Sequence, residues 1–535
     1  MTPWTQIYDP LGNAWLSAAV STLPVLVLLA SIAVLRIQAL FGALLGLGTA
    51  LLLALLVYHM PVRMMAGAAL LGAGYGLLPI GWMVLNILFL YRLTVQRGRF
   101  QLLQAEIAAI TPDPRLQLLL IAFGFGAFFE GCAGFGAPVA ITSAMLVGLG
   151  FAPVGAARLS LIANTAPVAF GSLGAPIVAL AAVTGLPLMS LSAMVGRQLP
   201  FFSILIPFWL IAAFAGWRGV REIWPAILVA GVAFAVPQFL VSNLHGPWLV
   251  DVISAACSIG GLGLFLRHWR PRGAQTVAAA QAKFDWRGWL PWIILSCGVF
   301  LWGLPATKAA LDGLFVLRIP VPGLDALVVR MPPVVAAPTP EPAVYLLNLL
   351  STSGTGILLS AILAGLAMGA RPVELLRTYA ATLRLALIPL ATIASMLALG
   401  YVTRYSGADS VLGLALAHSG MLYPFFGTLL GWLGVAATGS DTASNVLFGG
   451  LQRTTAERIG ISPILMAAAN SSGGVMGKMA DAQSIVVAAT ATGIRGKESE
   501  ILRYVLFHSV ALAVLVGLLV LGQAYLWPLS AMVVR

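Results

Sequence analysis

Charged residues are scarce in this sequence. Of its 535 residues, only 9% are charged and 60% are apolar. A soluble domain carries about 25% charged residues, so this chain has too few to cover a water-exposed globule. The scarcity excludes a soluble protein and predicts an all-α polytopic membrane protein. At about 20 residues per crossing, the apolar segments that recur from residue 14 to residue 527 predict about 12–14 transmembrane segments.

The chain also lacks the motifs of other functional classes. Its three cysteines, Cys132, Cys257 and Cys297, are far apart and show no metal-ligand spacing. Its five histidines contain no HExxH pattern, and no P-loop is present. We therefore predict no metal, no cofactor and no pump driven by ATP, and we do not expect an enzyme.

Lysine is rare, and the net charge of +12 comes mainly from arginine. Most of these arginines lie in short loops between apolar segments, for example at 92–115. Cytoplasmic loops of membrane proteins carry this excess of basic residues. The charge therefore predicts membrane orientation, with the N-terminus outside, and does not indicate a nucleic-acid partner.

A proline-rich segment divides the chain. Residues 305–342 contain the run MPPVVAAPTPEP, and proline has no backbone N–H to donate within a helix. The segment is predicted to be an extended, extracytoplasmic loop. It would separate an N-terminal transmembrane half, 1–304, from a C-terminal half, 343–535.

Each half contains an acid within a glycine-rich or serine-rich break. Residues 124–138 read GFGAFFEGCAGFGAP and contain Glu130, and residues 434–450 read GVAATGSDTASNVLFGG and contain Asp441. Each break is followed by a second polar break that begins with asparagine, so the two broken regions are 124–177 and 434–485. This order predicts two structural repeats with discontinuous helices or re-entrant hairpins, as in an ion transporter.

The two acids are the first candidates for chemistry. An ionised carboxylate at the bilayer centre costs several kcal/mol, so Glu130 and Asp441 are interpreted as coupling sites for a proton or another cation. The alternative is that each carboxylate caps or hydrogen-bonds a broken helix. Lys478 is a candidate for binding a substrate carboxylate. Its alternatives are snorkelling to the interface and a local i,i+3 pair with Asp481.

Small polar residues beside the acids are candidates for hydrogen bonds to a solute. They are Asn164, Thr165, Ser440, Thr442, Asn445, Asn470, Ser471, Ser472, Gln483 and Ser484. Small or helix-breaking residues in the same regions predict irregular backbone, which hydrocarbon tolerates only beside protein or a cavity. These are Gly131, Gly134, Gly136, Pro138, Gly473 and Gly474. The alternative for the glycines is close packing between helices.

Four stretches resemble signature sequences of the bacterial L-lactate permease family. They are EGCAGFGAPVAI at 130–141, NTAPVAFGSLGAPI at 164–177, TGSDTASNVLFG at 438–449 and AANSSGGVMGKM at 468–479. The resemblance implies an inner-membrane, multi-pass symporter that takes up L-lactate, and usually D-lactate and glycolate, with protons. Other small carboxylates, sodium coupling, a channel and, remotely, an intramembrane hydrolase stay open as alternatives. The oligomeric state is not predicted.

The resemblance fails at one point beside Lys478. Where the family pattern runs Ile-Ser-Pro-Gln-Ser, this chain has Ala-Asp-Ala-Gln-Ser at 480–484. Gln483 and Ser484 match the pattern. The change removes a proline break and adds Asp481 next to the predicted site.

Overall fold

The computed structural model describes residues 2–33, 35, 37–132, 137–271, 285–335, 337–494 and 497–534. The chain is 78% helical, and its strands are two to four residues long. The all-α class is confirmed. Gly134 and Gly136, two of the predicted helix-breaking residues, lie outside the described residues.

The helices that precede residue 305 vary widely in length. They are α1 (Ala14–Ser21), α2 (Leu23–Ala33), α3 (Ala39–Leu56), α4 (Val62–Tyr75), α5 (Trp82–Gln96), α6 (Arg99–Ala108), α7 (Pro114–Leu118), α8 (Gly126–Cys132), α9 (Ala137–Gly148), α10 (Pro153–Ala163), α11 (Gly171–Thr184), α12 (Leu188–Gln198), α13 (Pro200–Leu244), α14 (Val250–His268) and α15 (Leu290–Gly303). π-Helical turns at Gly76–Gly81 and Leu119–Phe125 join α4 to α5 and α7 to α8, and a 3₁₀ turn at Val168–Phe170 precedes α11.

The remainder of the chain contains the strands, apart from one at the N-terminus. Its helices are α16 (Pro305–Leu314), α17 (Ser353–Ala367), α18 (Pro372–Ser406), α19 (Ala408–Leu416), α20 (Tyr423–Thr438), α21 (Asp441–Ile459), α22 (Pro463–Gly477), α23 (Ala482–Ala491) and α24 (Glu498–Tyr525), with 3₁₀ turns at Ala417–Leu422, Lys478–Ala480 and Leu529–Met532. The strands are β1 (Trp4–Thr5), β2 (Leu317–Pro320), β3 (Val328–Arg330), β4 (Thr339–Glu341) and β5 (Val344–Leu347).

The long helices carry apolar side chains on both their outer and their inner faces, as helices in contact with lipid do. On α18, Leu376 and Leu387 are exposed while Leu397 is fully buried, so leucine covers both the outer and the inner face. Hydrocarbon offers no hydrogen-bond partners to the backbone, and a helix satisfies its backbone N–H and C=O groups internally. The exposed leucines therefore face the acyl chains, and the buried ones form the protein core.

Among the described residues, seven helical stretches are long and apolar enough to cross a membrane, and nine qualify if each of two bent pairs is one span. Four further apolar helices, near 14–28, 40–56, 138–148 and 353–367, are shorter. A polytopic membrane protein is confirmed. The count of 12–14 crossings stays a prediction, because the short helices fall below the length of a full crossing.

The prediction that 305–342 is an extended loop throughout is wrong at its start. The first ten residues form α16, which has Pro305 in its first turn, where a missing N–H costs nothing. The later prolines lie in turns and strands as expected. β3 pairs in parallel with β1 and antiparallel with β4, so this segment and the N-terminus lie on the same face of the protein.

The two predicted broken regions pack against each other. α11 from the first region lies along α21 from the second, and α20 packs against α22. α18 packs against α3 and α4 beside them. The breaks of both halves therefore meet inside one bundle.

Candidate functional site

A cavity of about 460 Å³ lies where the two broken regions meet. Its walls are mostly apolar, with contributions from α5, α11 and α18. Its polar lining residues are Gln38, Glu130, Ser172, Thr392, Thr438, Ser440, Asp441, Thr442, Lys478, Gln483 and Ser484. Both predicted acids and the predicted lysine therefore reach one cavity, although the acids are 311 residues apart in sequence.

Asp441 sits at the break between α20 and α21. Gly439 ends α20 with a φ of 73°, a conformation that favours glycine. Ser440 then caps α21, its Oγ accepting a hydrogen bond from the Ala443 N–H at 3.2 Å. This turn places Asp441 in the first turn of α21, where the helix dipole favours a negative charge.

The Asp441 carboxylate is buried and held by hydrogen bonds. Its Oδ2 accepts from Ser471 Oγ at 2.5 Å and from Asn445 Nδ2 at 3.2 Å. Its Oδ1 has no hydrogen-bond partner among the described residues. One oxygen is thus fixed by the protein while the carboxyl group lines the cavity.

The helix break near the C-terminal site lies further along the chain than the positions of Gly473 and Gly474 predict. Gly473 and Gly474 lie inside α22, and the helix is interrupted only at Lys478–Asp481. A Cβ on Gly474 would lie 2.5 Å from Asp441 Oδ1, and one on Gly473 would lie 2.2 Å from the Thr428 carbonyl oxygen. The helix-breaking interpretation of these two glycines is wrong, and close packing is their role.

Lys478 connects the two breaks of the C-terminal half. Its Nζ donates to the Gly439 carbonyl oxygen at 2.6 Å and to Asp481 Oδ2 at 3.3 Å. The local pair with Asp481 is therefore present. Snorkelling is excluded, because the side chain is buried and lines the cavity.

Asp481, the acid added by the departure from the family pattern, caps α23. Its Oδ1 accepts from the backbone N–H groups of Gln483 at 2.7 Å and Ser484 at 3.1 Å. The family pattern has a proline at the position of Ala482, and a proline there favours the start of a helix. In this chain the Asp481 carboxylate caps the helix start instead. The same group balances much of the Lys478 charge.

Glu130 occupies the matching place in the N-terminal half. It lies near the end of α8 and is 5% exposed. Its Oε2 accepts from Asn164 Nδ2 at 3.2 Å. Asn164 ends α10, after which the chain bends by 66° into α11. In both halves, therefore, the acid of the first break is hydrogen-bonded to a residue of the second.

The start of α11 has an unusual backbone that the sequence did not predict. Ser172, Leu173 and Gly174 all have positive φ values, of 47°, 56° and 80°. Left-handed conformation costs a non-glycine residue about 1–2 kcal/mol. The only sequence signal is the run GSLG within the stretch at 164–177. This turn brings Ser172 to the cavity wall.

Six predicted solute contacts stand behind the cavity wall. Asn164, Asn445 and Ser471 donate hydrogen bonds to the two acids. Asn470 Nδ2 donates to Asn445 Oδ1 at 3.0 Å. Thr165 Oγ1 donates to the Ile162 carbonyl oxygen at 2.8 Å, and Ser472 Oγ donates to Gln198 Oε1 at 2.6 Å. They support the site and do not line this cavity. Ser440, Thr442, Gln483 and Ser484 do line it.

The remaining predicted break residues flank the part of the chain that is not described. Gly131 lies in α8, and Pro138 lies in the first turn of α9.

Between the halves, Asn445 Nδ2 donates to the Pro176 carbonyl oxygen at 3.2 Å. This bond joins the acid-holding network of one half to α11 of the other.

Comparisons with known proteins show which family the chain belongs to. The family model described as L-lactate permease matches residues 17–527. The L-lactate permease of Salmonella typhimurium is 45% identical over 98% of this chain and 99% of its own. Glycolate permease GlcA of Escherichia coli is also 45% identical, over 98% of this chain and 99% of its own.

A solved structure, the YdaH transporter of Alcanivorax borkumensis, is 16% identical, with a TM-score of 0.45 over 86% of this chain and 88% of that one. The similar permeases are bacterial, and the apolar helices make the chain a multi-pass protein of the bacterial inner membrane. Full-length coverage at this identity, together with the matching family model, shows that the chain belongs to the L-lactate permease family.

Proposed function

We propose that the chain is a secondary transporter, not an enzyme, that takes up L-lactate and related 2-hydroxymonocarboxylates such as D-lactate and glycolate together with protons. The observation that carries the proposal is the cavity between the halves, which holds Glu130, Asp441 and Lys478. Relatives named lactate and glycolate permease support the substrate class.

Electrostatics supply the reason for coupling. A substrate carboxylate in this cavity adds a negative charge to a buried space that already contains two acids. Like charges at short range disfavour each other, so the acids take up protons when the anion binds. By linkage, a bound proton favours the anion to the same degree. Anion and proton are therefore carried together.

The polar lining residues suit a small hydroxy acid. Lys478 and the first-turn N–H groups of α21 would attract the carboxylate, because a helix N-terminus carries partial positive charge. Ser440, Thr442 and Gln483 supply donors and acceptors for the 2-hydroxyl group. The surrounding apolar wall leaves room for a short carbon chain.

Movement follows from the two-half organisation. We propose that 1–304 and 343–535 are the two transmembrane halves, with 305–342 on the outer face. The broken regions 124–177 and 434–485 would move against α3, α4 and α18, and would expose the cavity to each side in turn. The bent α10–α11 pair and the 478–481 turn are the places where such movement needs the least rearrangement.

The rival functions have less support. An intramembrane hydrolase built on Glu130 and Asp441 would need these two carboxylates to share a proton at a few ångströms. Here each acid is hydrogen-bonded within its own half, Glu130 to Asn164 and Asp441 to Ser471 and Asn445. A channel, another small carboxylate and sodium coupling are separated by transport measurements.

The test is uptake of radiolabelled L-lactate into proteoliposomes. One set of vesicles receives an inward proton gradient, a second an inward sodium gradient and a third neither. We expect accumulation above the external concentration only with the proton gradient, and we expect inhibition by excess glycolate. A protonophore should abolish it.

Other outcomes would overturn specific parts of the proposal. Accumulation with the sodium gradient alone would show that sodium, and not the proton, is the coupling ion. Equilibration without accumulation would indicate a channel. Lactate uptake that excess glycolate does not inhibit would narrow the substrate class.

A further inference from the structure

Asp251 is a buried acid to which the proposed function gives no part. It lies in the first turn of α14 and is 1% exposed. Neither of its carboxylate oxygens has a hydrogen-bond partner among the described residues. A charged carboxylate without hydrogen bonds in a dry interior is strongly disfavoured. Burial without hydrogen bonds therefore favours the protonated, uncharged form of Asp251.

Asp251 lies directly behind the cavity acid of the N-terminal half. α14 packs against α8, which carries Glu130. A Cβ on Gly131 would lie 2.7 Å from Asp251 Cβ and 3.2 Å from the Val252 nitrogen. Glycine at 131 thus lets α14 approach the residue next to Glu130, and the two carboxyl groups are within electrostatic range.

The groups around the two acids define their charge balance. Among the described residues, the titratable groups in electrostatic range of Asp251 are Glu130 and the Cys132 thiol, both of α8. Glu130 accepts the hydrogen bond from Asn164 and also feels the more distant, opposed charges of Lys478 and Asp481. Two neighbouring carboxyl groups disfavour simultaneous ionisation, because each negative charge repels the other. Such a pair binds and releases protons as one unit.

We propose that Asp251 is a second proton-carrying carboxyl that supplies Glu130. The proton leaves the Asp251 carboxylic acid and binds the Glu130 carboxylate, and Asp251 then takes a new proton from solvent. The inference rests on the proposed proton coupling.

The start of α14 indicates the face from which that proton comes. The loop at 245–249 precedes the helix, and the Lys308 ammonium of α16 lies 4.0 Å from the ring centroid of Trp248 in that loop. This is the face of the 305–342 segment, which we place outside. Asp251 would therefore carry protons inward from the side where the proton concentration drives uptake.

The test compares Asp251→Asn with the wild type in two assays in proteoliposomes. The first is lactate accumulation driven by a proton gradient. The second is lactate counterflow, which exchanges labelled for unlabelled substrate and needs no net proton transfer. We expect Asp251→Asn to lower accumulation about tenfold or more, since a positioned proton donor contributes roughly 10²–10⁴-fold, and to leave counterflow within about twofold.

A matched control removes a neighbouring buried polar atom. Ser254 lies one turn further along α14, is fully buried, and its Oγ also has no hydrogen-bond partner among the described residues. Ser254→Ala should behave as wild type in both assays. Asp251→Glu, which keeps the carboxyl group, should retain part of the accumulation.

The outcomes separate this inference from the proposed function. Wild-type accumulation together with full accumulation by Asp251→Asn would overturn the inference alone. Loss of counterflow in both Asp251→Asn and Asp251→Glu would show a structural role and would also overturn it. Failure of the wild type to accumulate lactate would overturn proton coupling itself.

Discussion

The two broken regions contain the same order of residues and build different electrostatic sites from it. Asp441 follows a helix start, accepts two side-chain hydrogen bonds and has Lys478 in the same cavity. Glu130 lies near a helix end, accepts one hydrogen bond from Asn164 and has Asp251 behind it. The C-terminal region thus places one carboxyl group beside the lysine of the proposed anion site, whereas the N-terminal region places two carboxyl groups close to each other. A repeated pattern does not require a repeated role.

The largest expected effect comes from removing the acid charges. Asp441→Asn should lower gradient-driven lactate uptake by roughly 10²-fold or more, because it removes the carboxyl group that takes up a proton beside the bound anion. Glu130→Gln should lower it by about tenfold, because Asp441 still takes up a proton beside the bound anion. Uptake rates in proteoliposomes measure both.

Glu222→Gln is the control for these variants, since Glu222 is an exposed acid of α13 that pairs with Arg115 and Arg218, away from the cavity. It should transport as wild type. Equal losses in Asp441→Asn and Glu130→Gln would remove the distinction between the regions.

Lys478 gives the next largest effect. Lys478→Gln should raise the KM for lactate about tenfold, which corresponds to about 1.4 kcal/mol of binding free energy, while kcat changes less. The glutamine amide can still donate to the Gly439 carbonyl, so the break should keep its shape. Concentration-dependent uptake checks this.

A contrary result is equally clear for Lys478. If kcat falls and KM stays constant, the lysine only joins Gly439 to Asp481. The substrate carboxylate would then bind through backbone N–H groups alone.

The smallest effects test the turns. Gly439→Ala should lower the thermal midpoint of the purified protein by several degrees, because left-handed alanine costs about 1–2 kcal/mol and its Cβ would lie 2.7 Å from Asp481 Oδ1. Ser172→Gly should lower the midpoint less than Gly439→Ala does, because the relief of a left-handed serine offsets the contacts that the side chain loses. A thermal-shift assay in detergent measures both.

Gly48→Ala is the control for the turns, since a Cβ at that helical position would meet nothing within 4 Å. It should not lower the midpoint. A Ser172→Gly protein that loses as much as Gly439→Ala would show that relief of the left-handed backbone does not offset the lost side-chain contacts.

The sequence predicted the fold class and the acids of the site for a simple physical reason. Charge is so costly in lipid that Glu130, Asp441 and Lys478 stand out from apolar surroundings, and the structure places all three at one cavity. The resemblance to the permease family was predicted from stretches around these residues, and it was confirmed by the family model over residues 17–527 and by relatives that are 45% identical over 98% of the chain.

Local geometry was less predictable. Gly473 and Gly474 were expected to break a helix, but glycine serves close packing equally well, and only the position of α20 decides between the two. Asp251 lies at the start of an apolar segment, where sequence alone cannot tell an interfacial acid from a buried one. The left-handed turn at 172–174 depends on contacts from distant elements, including Pro247 against Gly174.

The most direct test of the central claim is lactate-induced proton entry. Proteoliposomes contain a trapped pH dye and start with no gradient, and external L-lactate is then added, with protein-free vesicles and Asp441→Asn proteoliposomes as controls for passive entry of lactic acid. The account predicts internal acidification by the wild type well above both controls, in parallel with labelled lactate uptake. Labelled lactate uptake by the wild type without additional acidification would contradict it.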